Sequence, residues 1–249
     1  MRRFRFVALA ALALTCFVAS GCVYLRLLTL RDQFKDFDNQ VEVIRDPPLA
    51  LRFKHPVLLE EDLDSLIGSA PTATATNGPA TVRVYTFLHI GLPPENEPTD
   101  LDAPGATLSL TATIVKDKLT SIAFPPAVFN ALDPRLAEAG LRSLARAEVD
   151  TVARTATATV VAQELPLPPD RAALQRIFGL PSFADLKDGQ ERWVYRYRLV
   201  PPAENAQGKP LIAAMAFVFK PNAGHPFRFA VQINGLWLSL GLPEAAASK

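Results

Sequence analysis

The stretch that most constrains the fold is Ile177–Leu199, IFGLPSFADLKDGQERWVYRYRL. A helix end is stopped by Gly179 and Pro181, Lys187-Asp188-Gly189 reads as a turn, and a strand follows in which Trp193, Tyr195, Tyr197 and Leu199 alternate with Val194, Arg196 and Arg198. Period two puts the aromatics on one sheet face and the arginines on the other. Leu199 prolongs the apolar stripe and the arginines suit water. The aromatics are therefore expected in the core, and Arg196 and Arg198, with Arg228 of a later alternating strand, on an exposed sheet surface where a partner could dock.

A weaker form of the same order occurs earlier, at Leu66–Ile90. Asp62–Gly68 falls on Ala173–Gly179, Val82–Ile90 on Trp193–Leu199, and Thr107–Phe124 on Leu211–Ile233. Helices are expected over Tyr24–Asp38, Glu60–Ile67, Asp133–Val149 and Asp170–Phe178, with Asp170 as an N-cap. Pro71–Pro79 and Gly91–Gly105 read as loops. Thr151–Ala162 reads as extended, either a sheet edge open to a partner strand or a strand paired inside the sheet. Asn234-Gly235 is a hairpin signal. The repeat predicts an α+β fold of two tandem units, each with two helices on one face of an antiparallel sheet, and leaves open whether the sheets join edge to edge. The expected division is a signal segment over 1–21, a first unit over 22–126 and a second over 127–249.

The N-terminus predicts an address. Arg2, Arg3 and Arg5 precede an apolar run, Phe6–Val18, too short to span a bilayer, and Ala19-Ser20-Gly21 lead into Cys22. This resembles a bacterial lipobox, which implies cleavage before Cys22 and acylation of its thiol; an ordinary signal peptide cut near Gly21 and an uncleaved anchor are the alternatives. Taking Arg2, Arg3 and Arg5 from the 26 basic residues leaves 23 against 25 acids, a net charge of about −2. That balance offers no electrostatic case for a nucleic-acid partner. Of the two cysteines, Cys16 lies in the apolar run, so Cys22 is left without an intrachain partner.

The series Ile177-Phe178-Gly179-Leu180-Pro181, then Trp193-Val194-Tyr195-Arg196-Tyr197, then an apolar strand and a turn, resembles the SmpA/OmlA (BamE-type) outer-membrane lipoproteins. The resemblance implies a helix–helix–three-strand unit, shared in outline with the β-lactamase-inhibitor protein, itself a tandem of such units. It also implies an outer-membrane location facing the periplasm, which Val23 after Cys22 favours, and a tendency to bind other envelope proteins. The chain departs from the pattern in being about twice as long, in the extended segment between its helices, and in lacking Trp in the first copy.

Residues for chemistry are sparse. His55, His89 and His225 stand in no metal-ligand spacing, and Glu60, Glu61, Asp62 and Asp64 lie at a helix start, where acids are expected. No nucleophile motif or phosphate-cradling glycine loop occurs. The expectation is therefore no enzyme, no cofactor and no metal: a membrane-anchored interaction module. The alternative is a carrier or sensor of an apolar ligand held between sheet and helices.

Overall fold

The computed structural model describes residues 26–45, 49–91, 105–126, 133–150, 152–161, 165–202 and 211–244. The expected signal segment and Cys22 lie outside the described residues, as do most of the 91–105 and 200–210 loops.

The described chain is dominated by one mixed sheet of 13 strands. In chain order the strands are β1 (Val41–Ile44), β2 (Ala50–Phe53), β3 (Ala73–Asn77), β4 (Ala80–Ile90), β5 (Thr107–Val115), β6 (Lys118–Ala123), β7 (Glu148–Asp150), β8 (Thr155–Thr159), β9 (Phe183–Lys187), β10 (Gln190–Leu199), β11 (Ile212–Phe219), β12 (Arg228–Ile233) and β13 (Leu236–Gly241). Their spatial order is β1-β2-β6-β5-β4-β10-β11-β12-β13-β8-β7, with β3 paired to β4 and β9 to β10. The helices are α1 (residues 26–35), α2 (Phe37–Gln40), α3 (Glu60–Ile67), α4 (Pro134–Ser143) and α5 (Arg171–Phe178).

The expectation of two helix–helix–sheet units is overturned by this topology. The first pair of long helices is interrupted by the β1–β2 hairpin, and the second by β7 and β8. Two further segments whose sequence reads as loop or turn, Pro71–Pro79 and the residues before Gly189, contain β3 and β9. The physical reason is backbone accounting. Thr/Ala-alternating stretches carry too little apolar signal to announce a strand, yet their amides still need partners and find them on neighbouring strands. The helix expected to reach Val149 ends at Ser143, with a 3₁₀ turn over Leu144–Arg146 before β7. Thr155–Thr159 is not an edge, because it pairs in parallel with β13 and antiparallel with β7.

The β3–β4 and β9–β10 hairpins are related by an offset of 110 residues: Ala73 faces Val84 as Phe183 faces Val194, 73 shifting to 183 and 84 to 194. β4 and β10 then meet antiparallel about a local two-fold, with Arg196 opposite Ile90 and the Val200 amide donating to the Thr86 carbonyl at 2.8 Å. Two hydroxyls splice this seam. Thr72 Oγ1 accepts from the Thr86 amide (3.0 Å) and donates to the Val200 carbonyl (2.7 Å). At the equivalent place, Ser182 Oγ accepts from the Arg196 amide (2.8 Å) and donates to the Ile90 carbonyl (2.6 Å). Each hydroxyl satisfies backbone groups where the hairpin strand ends and the other half begins, so the ladder crosses the junction without orphaned amides.

One face of the sheet carries the core. Tyr85, Phe87, Tyr195, Tyr197, Leu199, Phe217 and Phe219 are buried there with Leu63 and Ile67 of α3 and Leu174 and Phe178 of α5, in a cluster that runs across both halves. Full burial of each large apolar side chain contributes roughly 1.5–3 kcal/mol. Leu27, Leu30 and Phe34 of α1, with Phe37 of α2, close the same layer.

Candidate functional site

The face of the sheet turned away from the helices is set by the pairing register. Arg192, Val194, Arg196 and Arg198 point to the side opposite Trp193, Tyr195 and Tyr197. Next to them on β11 stand Ile212, Ala214, Ala216 and Val218, and on β12 Arg228, Ala230 and Gln232. Along β11 the small side chains leave a trough of about 330 Å³, floored by Val194, Ala214, Ala216 and Ala230 and walled by Phe183 of β9 and Trp237 of β13. Phe183 and Trp237 are 42% and 40% exposed, so two aromatic side chains leave apolar area open to solvent around the trough.

The expected arginines separate. Arg196 and Arg198 are exposed beside the trough and make no ion pair with a described residue, whereas Arg192 is neutralised by Asp185 of β9. Arg228 is exposed on the same face but sits opposite Val218, four residues along β11 from the Ala214 that Arg196 faces, about 13 Å away along the strand. It leans over the Phe227 ring (5.3 Å) and lines a different depression, with Thr157, Thr159 and Glu244. Arg196 and Arg198 thus stand together beside the trough, and Arg228 stands farther along the same face.

Sequence reasoning missed Phe183, Trp237 and the alanine floor. Trp237 carried a legible signal: in Leu236–Leu240 it falls out of phase with Leu236, Leu238 and Leu240, so it had to face away from the core. Phe183 lies in a strand whose sequence reads as the approach to a turn.

The remaining candidates are structural. His89 lies at the seam, 6% exposed, stacked on Tyr197 (5.0 Å between centroids), with Nε2 at 3.1 Å from Ser182 Oγ. A serine beside a histidine suggests a nucleophile and its base, but the Ser182 proton goes to the Ile90 carbonyl and its oxygen also accepts the Arg196 amide. The pair holds backbone. Burial pushes the imidazole pKa down to about 4. The unfolded chain, at about 6.5, therefore takes up a proton that the folded chain refuses, so this contribution to stability is complete above the unfolded value and is lost as pH falls toward 4. The native protein should lose about 2 kcal/mol more stability than a His89→Gln variant between about pH 7 and about pH 5, measured by urea unfolding. Equal pH slopes would contradict the buried neutral histidine.

His55 bonds Gln40 Oε1 (3.0 Å) and His225 the Pro168 carbonyl (2.7 Å). The acidic run is absorbed by arginines: Arg26 pairs with Glu61 and Asp62, and Arg83 with Glu60 and Asp64. Among the described residues no group of three His, Cys, Asp or Glu side chains is placed to hold a metal ion. No described helix is long and apolar enough to cross a membrane. Comparison with family models, with curated proteins and with solved structures returned no match.

Proposed function

We propose that this protein is a lipid-anchored module of the cell envelope, held at the outer membrane on the periplasmic side through acylated Cys22, that docks another envelope protein on the open face of its sheet. The observation that carries the docking reading is the pairing of two arginines that meet no described acid, Arg196 and Arg198, with the exposed Phe183 and Trp237 around an alanine-floored trough. Arg and aromatic side chains are the residue types that dominate binding energy in protein interfaces. The anchoring reading rests on Arg2, Arg3, Arg5 and the apolar run before Cys22, and on the position of α1. That helix is described from Arg26, four residues after Cys22, and Arg26 is clamped to the buried Asp62 of α3. Acyl chains on Cys22, at about 0.8 kcal/mol per buried methylene, would hold the sheet close to the bilayer.

The carrier alternative has less support, because the layer between helices and sheet is filled by Phe178, Tyr195, Tyr197 and Phe217, with rings 5.5–6.0 Å apart where they meet. A Cys22→Ser variant should move from the membrane fraction to the soluble periplasmic fraction. A variant that remains with the membrane contradicts the anchor.

A further inference from the structure

The two halves of the seam provide an internal comparison. At positions related by the offset of 110, the first half carries Ala73, Val82, Thr86 and Leu88 where the second carries Phe183, Arg192, Arg196 and Arg198. On the adjoining strand the change runs the other way: Ser109 and Thr111, facing Thr86 and Val84, give way to Ala214 and Ala216, facing Arg196 and Val194. The same hairpin therefore forms in the first half with Ala73, Val82, Thr86 and Leu88 on the open face. Folding does not require the aromatic, the cations or the cleared floor of the second half. They are additions to a frame that stands without them.

We propose that this trough is the docking site for an amphipathic helix of a partner protein, its apolar side seated on Ala214 and Ala216 between Phe183 and Trp237 and its acidic edge paired with Arg196 and Arg198. The proposal rests on the docking reading above and names its partner's chemistry. Three observations select a helix of this kind. The strands that floor the trough are central: β11 pairs with β10 and β12, and β10 with β11 on one side and β4 and β9 on the other. No edge of the floor strands is free for an added strand, and β9, whose described pairing is with β10 alone, turns its other edge away from the trough, so recognition on the floor runs through side chains. The walls, Phe183 of β9 and Trp237 of β13, stand two strands to either side of β11, about 19 Å between strand axes, which leaves room between them for a helix of about 10–12 Å diameter. The trough is half-open to solvent, whereas small-molecule sites enclose most of their ligand. The charge settles the sign. Arg196 and Arg198 meet no acid among the described residues, so an acidic edge complements them, while a second copy docking face to face would set arginine against arginine.

The test places a photocrosslinking residue in the full-length protein in cells, by Phe183→p-benzoylphenylalanine and, at the first-half counterpart, Ala73→p-benzoylphenylalanine. The expected result is an adduct at position 183 to a protein segment with apolar residues at helical spacing beside Asp or Glu. Its yield should fall at least fivefold with Arg196→Glu and Arg198→Glu together, and return when the captured acids are reversed to Lys. Both arginines are exposed, so thermal unfolding of the double variant should match the parent. An adduct at 183 to phospholipid, to a second copy, to residues 92–104 of the same chain, or to a protein at a yield indifferent to the arginines overturns the proposal. A protein adduct at 73 with none at 183 overturns it and leaves the docking reading standing, and no protein adduct at either position overturns both.

Discussion

Replacing Asp62 by alanine should cost about 3–4 kcal/mol, the loss expected when one partner of a buried ion pair is removed. Asp62 is fully buried, and its carboxylate accepts from Nε and Nη2 of Arg26, each at 2.6 Å, and from the Leu59 amide at 2.8 Å. That last bond closes the first turn of α3, so the same carboxylate caps one helix and pins another. Urea unfolding reads the loss directly. The double variant Arg26→Met, Asp62→Leu should recover much of it, because an apolar pair of similar volume dispenses with burying charge. A double variant as unstable as Asp62→Ala would mean that packing, and not the charge that loses Asp62, sets the cost. The functional consequence is positional: without this clamp α1, the helix nearest the anchor, loses its hold on the sheet.

A Gly105→Ala substitution should be about as damaging, at roughly 2–5 kcal/mol, from two causes that add. The backbone at Gly105 has φ +77°, where a side chain costs about 1–2 kcal/mol. A Cβ there would also lie 2.2 Å from the carbonyl carbon of Phe178, the last residue of α5, which is backbone and cannot swing aside. Overpacking of that kind adds about 1–3 kcal/mol. The contact joins the halves, since Gly105 enters β5 of the first and its carbonyl accepts from the Tyr197 hydroxyl of the second (3.4 Å). Gly78→Ala is the control: φ is +57° with nothing within 4 Å of the added carbon, so it should show only the conformational cost. Equal destabilisation at both positions would contradict the close approach at Phe178.

The features legible in the sequence are local. The alternation in β10 separates Tyr195 and Tyr197 from Arg196 and Arg198, and the Asn234-Gly235 turn joins β12 to β13, because both signals lie within a few neighbouring residues. The pairing partners are not local. Nothing in Thr155–Thr159 marks it to lie parallel to β13, far along the chain, and that pairing carries the sheet beyond the expected units. β3 and β9 are hidden because their side chains are largely exposed, so the main chain makes them strands. Without β9 there is no Phe183 wall, and the trough cannot be seen. The distance of Arg228 from Arg196 is hidden for the same reason: each faces outward, as its own strand dictates, but the β11 register that spaces them is a tertiary property.

The central claim is that the open face beside Arg196 and Arg198 is occupied in the envelope. It is tested most directly by thiol accessibility of Arg196→Cys and Arg198→Cys, each alone, in intact membranes and in the purified protein. Masking should appear in membranes, with labelling by a water-soluble maleimide at least fivefold slower than after purification, while Ser109→Cys on the first half labels at the same rate in both. Equal rates at 196 and 198 in the two preparations would contradict a partner on this face.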